Sequence, residues 1–155
     1  MDPASFTVPP IVKIITFAGS PEQAFDRFTR GIGQWWPLRT HSLGKEKAAS
    51  AEFESLQGGA RLLEKWHTGE THVWGTVLAI ERPAYLRFTW HVGRDEDAAQ
   101  IIEVSFSPAT EDSTTVRLVH SGWERLGQAA PSLRDSYEQG WEPVLQIFVA
   151  TPSSG

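Results

Sequence analysis

Two aromatic clusters stand far apart in this chain: Phe28-Thr29-Arg30-Gly31-Ile32-Gly33-Gln34-Trp35-Trp36-Pro37 near the start and Gly140-Trp141 near the end, with six strand-like runs and no cysteine between them. A chain that joins such clusters must bring its last segment back against its first. The order of the runs predicts a twisted antiparallel sheet curled around a C-terminal helix, with a tryptophan-rich stretch near one end of whatever hollow remains. A length of 155 residues suits one domain. A domain of that size buries roughly 68–70% of its unfolded surface, enough for a core without staples.

Composition removes several function classes. Zero cysteines exclude disulfides, cysteine nucleophiles and cysteine zinc sites. Fourteen Lys and Arg against nineteen Asp and Glu give a formal charge of -5 with scattered basic residues, the wrong balance for nucleic acid. Met1 to Ser5 carries an acid in place of a basic leader, and no run reaches the ~18 apolar residues of a membrane span. The expectation is a soluble, cytoplasmic protein without membrane insertion. Seven Trp and eight Phe suit flat apolar ligands, and they suit a plain aromatic core equally well.

Residues 1–10 read as a flexible arm ending in Pro9-Pro10, and the β-branched run Ile11 to Phe17 reads as the first strand. Ser20-Pro21-Glu22-Gln23 is a capping box with proline at the first helical position, so a helix starts there. Gly31 and Gly33 divide it into two short pieces before Pro37. From Ala51 onward, compact turns separate short extended runs. Leu86, Phe88, Trp90 and Val92 alternate with Arg87, Thr89 and His91, as a strand with one core face requires. Leu133, Tyr137, Trp141, Leu145 and Phe148 then follow helical spacing, with a bend or break expected at Pro143. One domain over 11–150 and a tail over 151–155 complete the division.

This order resembles the START-like (SRPBCC) helix-grip superfamily, in the branch named for the activator of heat-shock-protein-90 ATPase. The resembling residues are Ser20 to Phe25, Trp35-Trp36-Pro37-Leu38, Gly58-Gly59, His120-Ser121-Gly122-Trp123-Glu124 and Gly140-Trp141. The resemblance implies an α+β fold: a seven-stranded curved antiparallel sheet around a long C-terminal helix, with two short helices between strands 1 and 2. It also implies a pocket between sheet and helix for lipids, polyketides, hormones or aromatic substrates. The co-chaperone behind the branch name carries a further N-terminal domain for which this chain has no residues, so a chaperone partner is not expected. An incompletely closed sheet leaves edge strands through which a homodimer is possible.

Four constellations could carry chemistry. Trp35, Trp36, Trp66, Trp90, Trp141 and Phe148, with Leu62 and Glu64 on the face of Trp66, form a pocket wall or a packed core; Trp35 and Trp36 favour the rim. Glu64 and His120 share strand parity with inward residues, and either orient a ligand, act as acid and base, or form a structural pair. His67 and His72 flank a hairpin loop beside Glu70 but lack a third ligand, so no metal is expected and a cross-strand pair is the plainer reading. Arg39, Thr40, His41 and Ser42 form a binding loop or a solvated one, with Arg39 available to a carboxylate or phosphate. No phosphate loop, dinucleotide fingerprint or nucleophile elbow occurs, so no cofactor is expected. The resulting expectation is a binder of a small hydrophobic molecule, aromatic or lipid-like. A polyketide-cyclase-like enzyme using Glu64 and His120 and a protein-interaction module around Trp35 or Trp123 are the alternatives.

Overall fold

The computed structural model describes residues 8–150. Strand β1 (Ile11–Ala18) leads through Gly19 and Ser20 into helix α1 (Pro21–Phe28) and the single turn α2 (Ile32–Trp35). Strands β2 (Ala48–Phe53), β3 (Arg61–Trp66), β4 (Thr71–Glu81), β5 (Tyr85–Trp90), β6 (Gln100–Thr110) and β7 (Ser113–Ser121) follow, and helix α3 (Ala130–Ala150) closes the chain. All seven strands pair antiparallel in the order β1-β7-β6-β5-β4-β3-β2. This is the α+β helix-grip architecture expected from the sequence. Residues 1–7 of the expected arm and all of the expected tail lie outside the described residues. Pro9 and Pro10 are held, their carbonyls accepting hydrogen bonds from Arg134 of α3.

Local chemistry explains the elements. The Ser20 hydroxyl accepts from the Gln23 amide and the Gln23 side chain accepts from the Ser20 amide, satisfying two donors at the start of α1. Its apolar face buries Ala24, Phe25 and Phe28. Arg27 then donates to the Phe148 carbonyl at 2.8 Å, tying α1 to the end of α3. On the sheet, Leu86, Phe88 and Trp90 of β5 and Ile102, Val104 and Phe106 of β6 face the core on alternate positions.

Helix α3 runs unbroken through Pro143, where the sequence predicts a bend or break. The carbonyl that Pro143 leaves without its usual helical donor belongs to Gln139, and both residues lie on the exposed face of the helix. The opposite face of α3 buries Trp141, Val144, Leu145 and Phe148 against the sheet. Among the described residues, no helix is long and apolar enough to cross a membrane.

Candidate functional site: an aromatic cavity between loop and helix

Between the loop that follows α2, the end of β5 and the middle of α3 lies a cavity of about 340 Å³. Its inner wall is Trp36, Trp90, Val92, Tyr137, Trp141 and Val144, and its lip includes Thr40, His41, Ser42 and Lys45. Trp36 stands with its ring centroid 5.8 Å from Trp90 and 5.9 Å from Trp141, so the three indoles form one continuous surface. Each indole N–H is already engaged by the protein: Trp36 with the His41 carbonyl at 2.7 Å, Trp90 with the Tyr137 hydroxyl at 3.2 Å, and Trp141 with His120 Nδ1 at 3.1 Å. What these rings offer the cavity is therefore carbon and π surface.

The lip is a tightly specified loop. The Ser42 hydroxyl donates to the Leu38 carbonyl and accepts from the Lys45 amide, and the Lys45 ammonium donates to the Thr40 carbonyl at 2.8 Å. Lys45 adopts φ 54, a left-handed conformation that costs a non-glycine residue about 1 kcal/mol. Glu64 of β3 supports that conformation. One of its oxygens accepts from the Leu43 amide and Trp74 Nε1, the other from the Gly44 amide and Trp66 Nε1, at 2.7–2.8 Å. Gly44 must be glycine, because a Cβ there would lie 2.5 Å from Trp66 Nε1. Burial pushes the Glu64 carboxyl up, but the two amides and two indoles outweigh it and hold the group below its ordinary value.

His120 supports the other wall. It accepts from Trp141 at Nδ1, which fixes the tautomer, so Nε2–H faces Gln100 Oε1 at 3.2 Å. Gln100 in turn donates to the Ala98 carbonyl. Trp123 and Tyr137 flank the imidazole at 4.2 and 5.1 Å between centroids. Burial drives its pKa down to about 3, so it is neutral.

The expected site residues thus fall into four groups. Trp36, Trp90 and Trp141 are in the cavity wall, and Thr40, His41 and Ser42 are on its lip. Glu64 and His120 are both fully buried behind the wall, do not line this cavity, and bond to different partners. Leu62, Trp35 and Phe148 belong to the core. Trp35 sits 4.9 Å from Phe148 and 5% exposed, where the sequence favours a place at the rim, because its N–H reaches back to the Arg27 carbonyl. Trp66 stacks on His72 at 4.3 Å, outside the cavity, and Arg39 is exposed and does not line it. His67 and His72 do not face each other, since His72 pairs with Glu64 across the strands and His67 lies in the turn. No group of three metal-binding side chains exists among the described residues.

Tyr137, Val92 and Val144 are wall residues that sequence reasoning missed, and Trp74, fully buried 5.4 Å from both Trp36 and Trp90, is the missed support. Gly75 beside it was the available signal. Glycine inside a strand marks a close backbone approach, and a Cβ there would fall 1.7 Å from the Thr89 carbonyl.

Residues 18–151 match the family described as Activator of Hsp90 ATPase homolog 1-like protein. The chain belongs to this family. Among solved structures it is similar to the anthrahydroquino-γ-pyrone synthase Txn09, at 32% identity and TM-score 0.64 over 92% of this chain and 96% of that one. It is also similar to CalC, a self-sacrificing resistance protein from Micromonospora echinospora, at 26% identity and TM-score 0.68 over 90% and 91% of the two chains. An HSP90 activator from Plasmodium falciparum shares the fold at 17% identity and TM-score 0.62, over 94% of this chain and 99% of that one. No curated protein matches the chain.

Proposed function

We propose that this protein binds a flat aromatic small molecule non-covalently in the cavity between the 36–45 loop and α3. The observation that carries the reading is the wall of three indoles whose N–H groups are all internally bonded, so that the indoles themselves present only apolar ring surface to a guest. Such surface rewards stacking, which is worth about 0.5–1.5 kcal/mol per aromatic pair beyond area burial. A volume of about 340 Å³ stands at the small end of the ~300–1,000 Å³ range of ligand pockets, which suits a few fused rings better than a long lipid chain. The similarity at 32% identity to a protein named as synthase of a fused aromatic compound supports the same class.

The cyclase-like alternative needs an acid and a base that reach the ligand. Glu64 and His120 have their polar atoms engaged and do not line this cavity, which favours positioning over proton transfer. The interaction-module alternative needs exposed rings at Trp35 or Trp123, and these are 5% and 0% exposed.

Calorimetric titration with a panel of two- and three-ring aromatics tests the reading. Saturable one-to-one binding is expected in the parent and its loss in Gly140→Leu, because Gly140 lines the cavity and a longer side chain there reaches towards His41. Binding that is indifferent to Gly140→Leu in a folded variant rejects this cavity as the site.

A further inference from the structure

The polar groups of the cavity restrict its guest further than shape does. Among the residues that line it, Lys45 is the one with a formal charge, and no carboxylate is present. Thr40, His41 and Ser42 are committed to the loop itself. Ser42 spans the Leu38 carbonyl and the Lys45 amide, Thr40 shares its hydroxyl with His41 Nδ1 at 2.7 Å, and His41 also bonds to the backbone of Gly140 across the mouth. Burial, helped by the nearby Lys45 charge, holds the His41 imidazole below its ordinary pKa, so His41 adds no second cation to the lining above neutral pH.

Two donors remain. The Tyr137 hydroxyl accepts from Trp90 at 3.2 Å, which orients its oxygen and leaves its own proton to give. Burial raises the pKa of this phenol, so the proton is retained at neutral pH. Lys45 spends one N–H on the Thr40 carbonyl and keeps two. A guest between the indoles therefore meets a half-buried O–H on the helix side and an ammonium on the loop side.

We propose, resting on the aromatic-binding reading above, that the cavity selects aromatic anions that carry an acidic oxygen: phenolates, hydroxyquinones or aromatic carboxylates. The ring stacks among Trp36, Trp90 and Trp141, one oxygen accepts from Tyr137, and the negative charge lies towards Lys45. Indole clusters also attract cations through their ring faces. In this cavity the Lys45 charge opposes a cationic guest, so the two classes are separable by experiment.

Calorimetry with four probes of equal ring size makes the separation: 1-hydroxy-2-naphthoate, 1-naphthol, naphthalene and 1-naphthylmethylammonium, each with the parent, Tyr137→Phe and Lys45→Gln. The expected order is naphthoate, naphthol, naphthalene and then the ammonium, with naphthoate at least ~10-fold tighter than naphthalene, as a charge-assisted hydrogen bond provides. Tyr137→Phe should lower the preference for naphthoate over naphthalene ~10-fold. Lys45→Gln, at an exposed side chain, should weaken naphthoate about threefold and strengthen the ammonium. Naphthalene or the ammonium binding as tightly as naphthoate, or naphthoate binding indifferent to both variants, overturns the selectivity and leaves aromatic binding standing. Failure of all four probes overturns both. Lys45→Gln removes no buried contact, so it keeps the test decisive should Tyr137→Phe be unstable.

Discussion

On the loop side of the cavity the buried group behind the wall is a carboxylate that stays charged; on the helix side it is an imidazole that stays neutral. Glu64 and His120 are equally inaccessible, each at 0% exposure. The difference lies in the partners. Glu64 collects four N–H donors, two of them backbone amides of the 43–44 turn, and so its charge is solvated by the protein. His120 receives one donor and faces one amide oxygen, which suits a neutral ring and offers nothing to a cation beyond that oxygen. Burial alone does not decide the charge of a group; the number and sign of its ready-made partners do. The consequence is a division of labour: the anion fixes a loop, and the neutral ring fixes a tryptophan.

The largest expected effect follows from the anion. Glu64→Leu strands two amides and two indoles, and denaturant unfolding should show a loss of about 3–5 kcal/mol. His120→Leu strands Trp141 Nε1 and the Gln100 amide oxygen, for a smaller loss of about 1–3 kcal/mol. A larger loss for His120→Leu than for Glu64→Leu would break the comparison.

Acid sharpens it. The folded pKa of His120, about 3, lies below its ordinary 6.5, so the unfolded chain binds the extra proton. The contribution is complete above pH ~6.5 and is lost as pH falls from there towards 3, at up to about 1.4 kcal/mol per pH unit. Glu64 is also depressed, from 4.5, so its contribution is lost only as pH falls below that value. Unfolding followed between pH 7 and 5 should therefore decline in the parent and be much flatter in His120→Leu. Parallel slopes would show that the imidazole is not the group responsible.

Much of the fold was legible because local signals agreed with one another. The capping box at Ser20, the alternation in β5 and the apolar stripe of α3 each specify an element without knowledge of the rest. The inward direction of Glu64 and His120 was equally readable from strand parity. Their roles were not, because two of the four donors to Glu64 come from a turn about twenty residues earlier, brought close only by the folded chain. Tyr137 shows the same limit. Helical spacing places it with Trp141 on the apolar stripe, and only the approach of Trp90 shows that its hydroxyl is oriented at a cavity.

The smallest prediction concerns the gap between the two sides. A Cβ at Gly140 would meet nothing closer than His41, at 3.7 Å, so Gly140→Ala should gain stability by up to about 1 kcal/mol through helix propensity. A loss instead would mean that loop and helix are pressed together more tightly than the two supporting groups require.

The indole cluster has one more consequence. Trp36 lies 5.4 Å from Trp74, 5.6 Å from Trp35, 5.8 Å from Trp90 and 5.9 Å from Trp141, measured between ring centroids. At such separations an absorbed photon is not confined to the ring that captured it, and the near-ultraviolet dichroism of the rings is coupled. A guest resting on any one of them would dim or recolour the emission of the group. The protein carries its own optical reporter, placed where occupancy would be read.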